Sequence, residues 1–452
     1  MRYKWEMRPE SELAGGPITF PGFPPGPPAA RHLLESLGSL DDLRRDVLGT
    51  VGQRFATYGD LYYAEAPNVD MYSTCHPDLI HQVLVTQARS FRKRTTDLEL
   101  LGNGLLTSDG ELWRRQCRRI QPGFRHESIQ RYARLIVEES ERTLAQLRDG
   151  DVIELRKEMM QLTLRIVCRA LFGQHFEGRS ERLARAVRVL QEQVFLPKLF
   201  PQWLPTPSNL LRRHMFREID REVFPIIDRG GEPGSLLSDL IAMTDEEGAM
   251  SRQQLRDEVV TLFLAGHETT ALALTWALYQ LGLHPHLQEE LGEAARGAGA
   301  DIAQLQPAQL PLAERVLLET MRLYPPAYVI PRVAAEPVEL GGYQVPPGSE
   351  VWMWVYFMHH DARWWEEPER FRPERFAPET EAARRPNTFI PFGAGSRACV
   401  GRHFAMLEAF LCLVSLLRRF RFQLVSARTV RLHPRITLSP ARPIHVRLSA
   451  RR

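Results

Sequence analysis

The chain has 452 residues, 44% hydrophobic and 25% charged, with a formal net charge of +3 from 58 basic and 55 acidic side chains. That length and apolar content support a large buried core, and so small a net charge gives no electrostatic case for a nucleic-acid partner. The cysteines, Cys75, Cys117, Cys168, Cys399 and Cys412, are odd in number, widely spaced and without a CxxC pair, which argues against a disulfide framework or zinc site and for a reducing compartment.

The amino terminus, Met1-Arg2-Tyr3-Lys4-Trp5-Glu6, lacks the apolar stretch of a signal peptide. No apolar run approaches the ~20 residues of a spanning helix, so no transmembrane segment and a cytoplasmic location are expected. Pro21 to Pro28 is a stiff, non-helical lead-in, read either as a plain linker or as part of an entrance. Ala30 to Tyr58 reads as helix, Tyr62 to Ser73 has strand-like spacing, and Pro77 to Ala88 is helical again. After a turn-rich break at Gly102 to Gly110, a basic helix opens at Glu111, followed by helices over His126 to Leu147, Leu155 to Phe172 and Glu181 to Gln193. Phe195 to Leu204 reads as an apolar connector, mobile or packed on the core. Arg212 to Asp228 is amphipathic, and Gly230 to Ser235 is loop.

Ser251 with Gln254 forms a capping-box pattern, and helical character then persists to Leu283, before Pro285. The middle of this segment is so apolar that the helix belongs at the centre of a large domain. His286 to Ala298 and Leu312 to Tyr324 are helical, the latter ended by Pro325 and Pro326. Val329 to Val333 and Val338 to Val345 read as strands, and Val351 to Met358 as a strand buried on both faces. Trp364 to Asn387 reads as irregular coil, Arg402 to Phe420 as an apolar helix, and Phe422 to Val446 as hairpins. With no βαβ repeat and no convincing linker, the chain is expected to be mainly α with small β-sheets: a lead-in over residues 1–29 and one domain over 30–452.

Three clusters carry chemistry. In Phe392-Gly393-Ala394-Gly395-Ser396-Arg397-Ala398-Cys399-Val400-Gly401, glycines permit a tight turn whose N–H groups can face a thiolate, with Arg397 nearby. The bland alternative for a free cysteine is a buried structural role, which is the reading for Cys75, Cys168 and Cys412. Ala265-Gly266-His267-Glu268-Thr269-Thr270 interrupts the apolar long helix: Thr269 can bond back one turn and distort it, Gly266 leaves space against a flat ligand, and Glu268 can supply protons. His267 reads as a helix–helix contact. Glu319 and Arg322 share a helix face, and Arg375 can join them in a buried charge network.

Together these motifs resemble the cytochrome P450 family of heme-thiolate monooxygenases. The heme loop around Cys399, the Ala265-Gly266-x-Glu268-Thr269 segment, Glu319-x-x-Arg322 and Pro373-Glu374-Arg375-Phe376 occur in the family's order. The layout is similar to that of bacterial fatty-acid and terpenoid or carotenoid hydroxylases. The resemblance implies a triangular helical domain around a buried heme b, with Cys399 as the iron ligand and Phe392 packed near the thiolate. It implies Trp113, Arg332 and Arg397 as propionate ligands, Gly266 beside the heme, and Thr269 and Glu268 as the catalytic pair handling oxygen and protons. Glu319, Arg322 and Arg375 would be structural. One position departs from the pattern. Four residues after Trp113, where the family carries a basic propionate ligand, this chain has Cys117, and a thiol cannot replace a charged donor. Either Trp113, Arg332 and Arg397 hold that propionate alone or Arg118 adjusts to help, and a looser heme than in relatives is expected.

The resemblance further implies insertion of one oxygen atom from O2 into a C–H or C=C bond of a hydrophobic small-molecule substrate. Substrate contacts would come from Ser90 to Leu106, Phe195 to Leu204, the helix around Phe263, Ala327 to Ile330, and Ile436 to Leu438. Arg92, Lys93 and Arg94 are left open between a substrate carboxylate, a propionate and solvent. With no flavin or nicotinamide module in the sequence, electrons would come from a separate ferredoxin and its NAD(P)H-dependent ferredoxin reductase. The acidic ferredoxin would be met by Arg114, Arg115, Arg118, Arg119, Arg402 and His403, with the protein acting as a monomer. A peroxide-driven heme-thiolate hydroxylase and a non-catalytic heme-binding or sensing protein are the alternatives.

Overall fold

The computed structural model describes residues 22–27, 45–66, 69–94, 102–173, 182–183, 185–186, 189, 204–245, 248–425 and 429–451. The chain divides into two compact units, the first formed by Met1–Arg94, Met321–Cys399 and Thr429–Ala441, the second by Thr95–Thr320, Val400–Arg428 and Arg442–Arg452.

The first unit is built on a five-stranded sheet in the order Leu61–Ala66, Val69–Thr74, Glu350–Met353, Ile330–Ala334, Phe91–Lys93. The stretch read as strand-like from Tyr62 is an antiparallel hairpin, with Tyr62 opposite Ser73 and Tyr63 opposite Tyr72. Its one parallel pairing joins Val69–Thr74 to Glu350–Met353, and Arg332 stands opposite both Val351 and Lys93. The lead-in is attached to this sheet: Tyr63 N–H donates to the Pro25 carbonyl at 3.1 Å, and the Phe23 ring lies 4.6 Å from that of Tyr63. Tyr72, Ile80, Val83, Leu84, Val351, Met353, Met358 and Ile390 form one apolar core. Leu48, Val51, Tyr328, Trp354, Phe357 and Leu438 form another.

The second unit is helical. Its axis is the 32-residue helix Arg252–Leu283, opened by the expected capping box: Ser251 Oγ accepts the Gln254 N–H at 3.2 Å, and Gln254 Oε1 accepts the Ser251 N–H at 3.1 Å. It packs along Leu155–Phe172, whose bounds match the sequence reading. A three-stranded sheet joins Phe420–Leu424, His445–Ala450 and Val152–Glu154. The loop Gly102–Ser108 is pinned to the long helix, because Asn103 and Leu105 donate their N–H groups to Asp257 and Glu258, both at 2.9 Å. Gly104 sits so close that a Cβ there would lie 2.1 Å from Thr261 Oγ1.

Several expectations change. Val351 to Met358 is not one buried strand: the strand ends at Met353, and after Trp354 (φ −91°, ψ 87°) the chain enters the helix Val355–His359. A continuously apolar run shows no polar–apolar alternation to separate the two. His126 to Leu147 is broken into His126–Gln130 and Ala133–Leu144. Pro77 to Ala88 is an α-helix only to His81, then a wider π turn over Gln82–Thr86. Val338 to Val345 is a hairpin closed by Gly341 and Gly342, whose φ values of 60° and 85° suit a two-residue turn. The first helix is described from Val47, capped by Asp46. Most of Ala30 to Tyr58 before that cap lies outside the described residues, as do most of Glu181 to Gln193 and all but the last residue of Phe195 to Leu204.

Candidate functional site

In the first unit, the cysteine turn is defined by its own backbone. Gly393 N–H donates to the Ile390 carbonyl and Cys399 N–H to the Phe392 carbonyl, both at 2.9 Å, with Ala398 N–H on Gly395 at 3.1 Å. Gly393 and Gly395 have φ of 71° and 72°, a left-handed conformation that side chains resist. At Gly395 the constraint is doubled, because a Cβ there would meet the Leu84 carbonyl oxygen at 2.0 Å. At Gly393 the nearest such contact is Ile330 Cδ1 at 3.8 Å, so only the backbone angle demands glycine. The turn leaves Cys399 exposed, while Cys75, Cys168 and Cys412 are buried. Burial pushes those three thiols up out of the range in which a thiolate forms.

Phe392 and Arg397 are half-buried on this turn. Arg332, 6% exposed, lies on strand Ile330–Ala334 and donates to the Pro331 carbonyl at 2.9 Å. Arg94 is held by Glu350 at 2.6 Å, and Glu350 also accepts the Trp352 indole N–H at 2.8 Å. Of the three cations left open for a substrate carboxylate, Arg94 is thus committed to a carboxylate of the chain itself. Arg322 is fully buried and donates to the carbonyls of His359 (2.8 Å) and Arg370 (3.2 Å). Arg375 donates to the Glu367 carbonyl at 2.9 Å. Both guanidinium groups therefore fasten the irregular segment after the helix Val355–His359.

In the second unit, the long helix is buried from Leu255 to Leu281 except around one turn. Ala265 is exposed, and Gly266, Glu268 and Thr269 are partly so. Residues 265, 268 and 269 share a face by helical spacing. The polar side chains are satisfied locally: Thr269 Oγ1 donates to the Ala265 carbonyl at 2.7 Å and Thr270 Oγ1 to that of Gly266 at 3.2 Å. This back-bonding was expected to distort the helix, yet the helix runs unbroken through it. A Cβ at Gly266 would lie 2.9 Å from Val167 Cγ2, so the room that glycine leaves is used by the neighbouring helix Leu155–Phe172. The His267 ring bonds within its own helix, Nδ1 lying 2.9 Å from the Phe263 carbonyl, while the helix–helix contact at this residue is made by its backbone carbonyl, which accepts from Thr163 Oγ1 at 2.8 Å.

Two partners of this turn were missed by sequence reasoning. Arg156 Nη2 lies 4.0 Å from Glu268 Oε1. Glu408, almost fully buried on Arg402–Arg419, has its carboxyl held well above the usual range by burial, opposed by side-chain hydrogen bonding with Thr270. A lone acid in an apolar helix was the available signal for Glu408; nothing local marked Arg156.

On the helix Gly110–Ile120, Trp113 and Cys117 are half-buried and share a face. Arg118 turns instead to the exposed side, 3.6 Å from Glu111, as does Arg114 at 3.0 Å. Of the two ways left open for the propionate, adjustment of Arg118 is therefore the one the helix does not favour. Arg119 is buried and donates to the Gly248 carbonyl, so it leaves the group expected to meet a redox partner. Arg402 and His403 are exposed.

The donor set fits the heme expected from the resemblance. One exposed thiol stands on a rigid glycine turn, and one partly open, polar-edged face breaks an otherwise buried helix. Replacing Gly393 by Ala should cost about 1–2 kcal/mol through its positive φ. Gly395→Ala should cost more and lower heme content, because the Leu84 carbonyl must also move; thermal melting and heme-to-protein ratio read both, and equal effects would contradict the packing argument. Cys117→Arg should slow heme loss to apomyoglobin, and no gain in retention would show that the missing cation does not matter.

The profile of the cytochrome P450 family matches residues 24–447. Cyclooctatin synthase of Streptomyces melanosporofaciens is 34% identical over 402 residues, 84% of this chain and 87% of that one. Pentalenene oxygenase of Streptomyces avermitilis is 32% identical over 416 residues, 88% of this chain and 91% of that one. The heme domain of cytochrome P450DA superposes with a TM-score of 0.78 at 23% identity, over 94% of this chain and 98% of that one, a likeness that speaks for the fold alone. The chain belongs to the cytochrome P450 family, the heme-dependent monooxygenases that use O2, redox partners and hydrophobic substrates.

Proposed function

We propose that this P450 inserts one oxygen atom from O2 into a C–H or C=C bond of a terpenoid hydrocarbon or alcohol. The observation that carries the substrate class is the pair of bacterial relatives, a cyclooctatin synthase and a pentalenene oxygenase, each covering more than 80% of the chain. The segments expected to meet substrate agree with it. Among the described residues they include Phe263, Val329, Ile330 and Leu438, all apolar and at least partly buried. Of the three cations left open for a substrate carboxylate, Arg94 is paired with Glu350.

In this reading Cys399 ligates the heme iron, with Trp113, Arg332 and Arg397 toward the propionates and Phe392 near the thiolate. Bound heme supplies the activation of O2 and its transfer to carbon. The remaining work falls to side chains. Thr269 spends its hydroxyl proton on the Ala265 carbonyl, so its oxygen presents lone pairs to the open face and can orient a water there. Glu268, within reach of Arg156, is the adjoining proton carrier. Electrons come from a separate ferredoxin and its NAD(P)H-dependent reductase, with exposed Arg114, Arg118, Arg402 and His403 as the cationic groups for an acidic partner.

Titration with terpenes and with fatty acids, read as the low-to-high-spin shift of the ferric heme, tests the substrate class. Terpenes should shift it; a response to fatty acids alone would reverse the assignment. In turnover with ferredoxin, reductase and NAD(P)H, Thr269→Ala should lower product by roughly 10²-fold while electron consumption persists and ends as peroxide. Unchanged coupling would remove Thr269 from proton handling.

A further inference from the structure

The helix Val355–His359 ends on a buried histidine that none of the roles above uses. His359 is fully buried, and its Nε2 accepts the backbone N–H of Ile390 at 3.1 Å. An accepting Nε2 carries no proton, so the neutral ring holds its proton on Nδ1. Nδ1 is buried, and backbone hydrogen bonding to Arg322 and Met321 acts on the ring in the direction of holding its proton. The ring sits against Phe389, at a centroid distance of 5.3 Å.

This contact joins two features already described. Upstream, the buried Arg322 guanidinium donates to the His359 carbonyl at 2.8 Å. Downstream, the Ile390 carbonyl accepts the Gly393 N–H, and the peptide unit that supplies this N–H also supplies the Phe392 carbonyl that accepts the Cys399 N–H, both at 2.9 Å. Hydrogen bonds linked covalently through His359 and Ile390 thus connect Arg322, by way of the His359 ring and the Phe392–Gly393 peptide, to Cys399. We propose that His359 is a positioning residue for the iron ligand: its neutral ring, as acceptor for Ile390, sets the entry of the cysteine turn relative to the buried Arg322. The inference rests on Cys399 as the ligand.

The surroundings favour the neutral ring. Burial, then His360 and Arg322, hold the His359 pKa well below the usual range. His360 is itself kept neutral, its pKa lowered to about 3 by burial, so the cations near the ring are Arg322 and Arg384, the latter 5.4 Å from the Phe389 ring. The direction of the pH effect follows. A histidine whose folded pKa lies below its unfolded value near 6.5 stabilises the fold fully above that value, and the contribution is lost as pH falls below it. Protonation also removes the acceptor for Ile390.

The test uses the heme-loaded protein with His359→Phe, which keeps the ring and removes the acceptor, and His359→Gln, whose amide oxygen can accept but does not titrate. Amide exchange by mass spectrometry reads the segment 388–399, and the reduced-CO spectrum reads thiolate ligation across pH. In His359→Phe the segment should exchange about tenfold faster while peptides of the long helix stay unchanged, and part of the thiolate band should be lost at neutral pH. His359→Gln should restore both and keep its thiolate band to lower pH than the native protein. Native exchange and thiolate signal in His359→Phe would overturn the proposal, and so would a Gln variant that behaves like the Phe variant. If His359→Phe does not fold, a Gln variant losing its band at the native pH overturns it instead. A native protein with no thiolate band would fail the ligand assignment rather than His359.

Discussion

A cysteine that is to ligate iron must present its sulfur to the metal from a backbone that is held still. Packing is the ordinary way to immobilise a side chain, but packing desolvates a thiolate and drives it to the thiol. Cys75, Cys168 and Cys412 show that outcome. Cys399 is held differently: its turn is fixed by backbone hydrogen bonds and by the press of Gly395 on the Leu84 carbonyl. The rigidity comes from the main chain and not from packing around the side chain.

The long helix meets the complementary problem. Its centre needs polar groups on one edge, and polar groups in a buried helix are costly unless bonded. Thr269 and Thr270 return their hydroxyl protons to carbonyls one turn back, and Glu268 has Arg156 within ion-pair distance. The helix remains continuous, and only the surface at Ala265, Glu268 and Thr269 stays open. Gly266 contributes from the other side, by letting the helix Leu155–Phe172 approach.

What the sequence made legible follows the range of the interactions involved. The long helix announced both ends, through the Ser251 and Gln254 box and Pro285, because capping is local chemistry. The motifs around Cys399, Glu268 and Arg322 were readable for the same reason. Val351 to Met358 was misread as strand because burial on all sides erases the alternation that separates strand from helix. Arg119, read as part of a basic surface, is drawn inward by the Gly248 carbonyl, a contact made across 129 residues. Arg156 and His359 were invisible for that reason too: each matters through a partner distant in sequence, whereas Glu408 showed only as a lone acid in an apolar helix. Cys117 is the converse, a departure visible only against the family's pattern, which the structure places beside Trp113.

The assignment of Cys399 as the thiolate ligand is tested most directly by the reduced-CO spectrum of the purified protein and of Cys399→Ser. The native protein should show the band of a thiolate-ligated heme, and the variant should lose it, while serine at Cys75, Cys117, Cys168 or Cys412 leaves the band in place. Persistence of the thiolate band in Cys399→Ser would contradict the account.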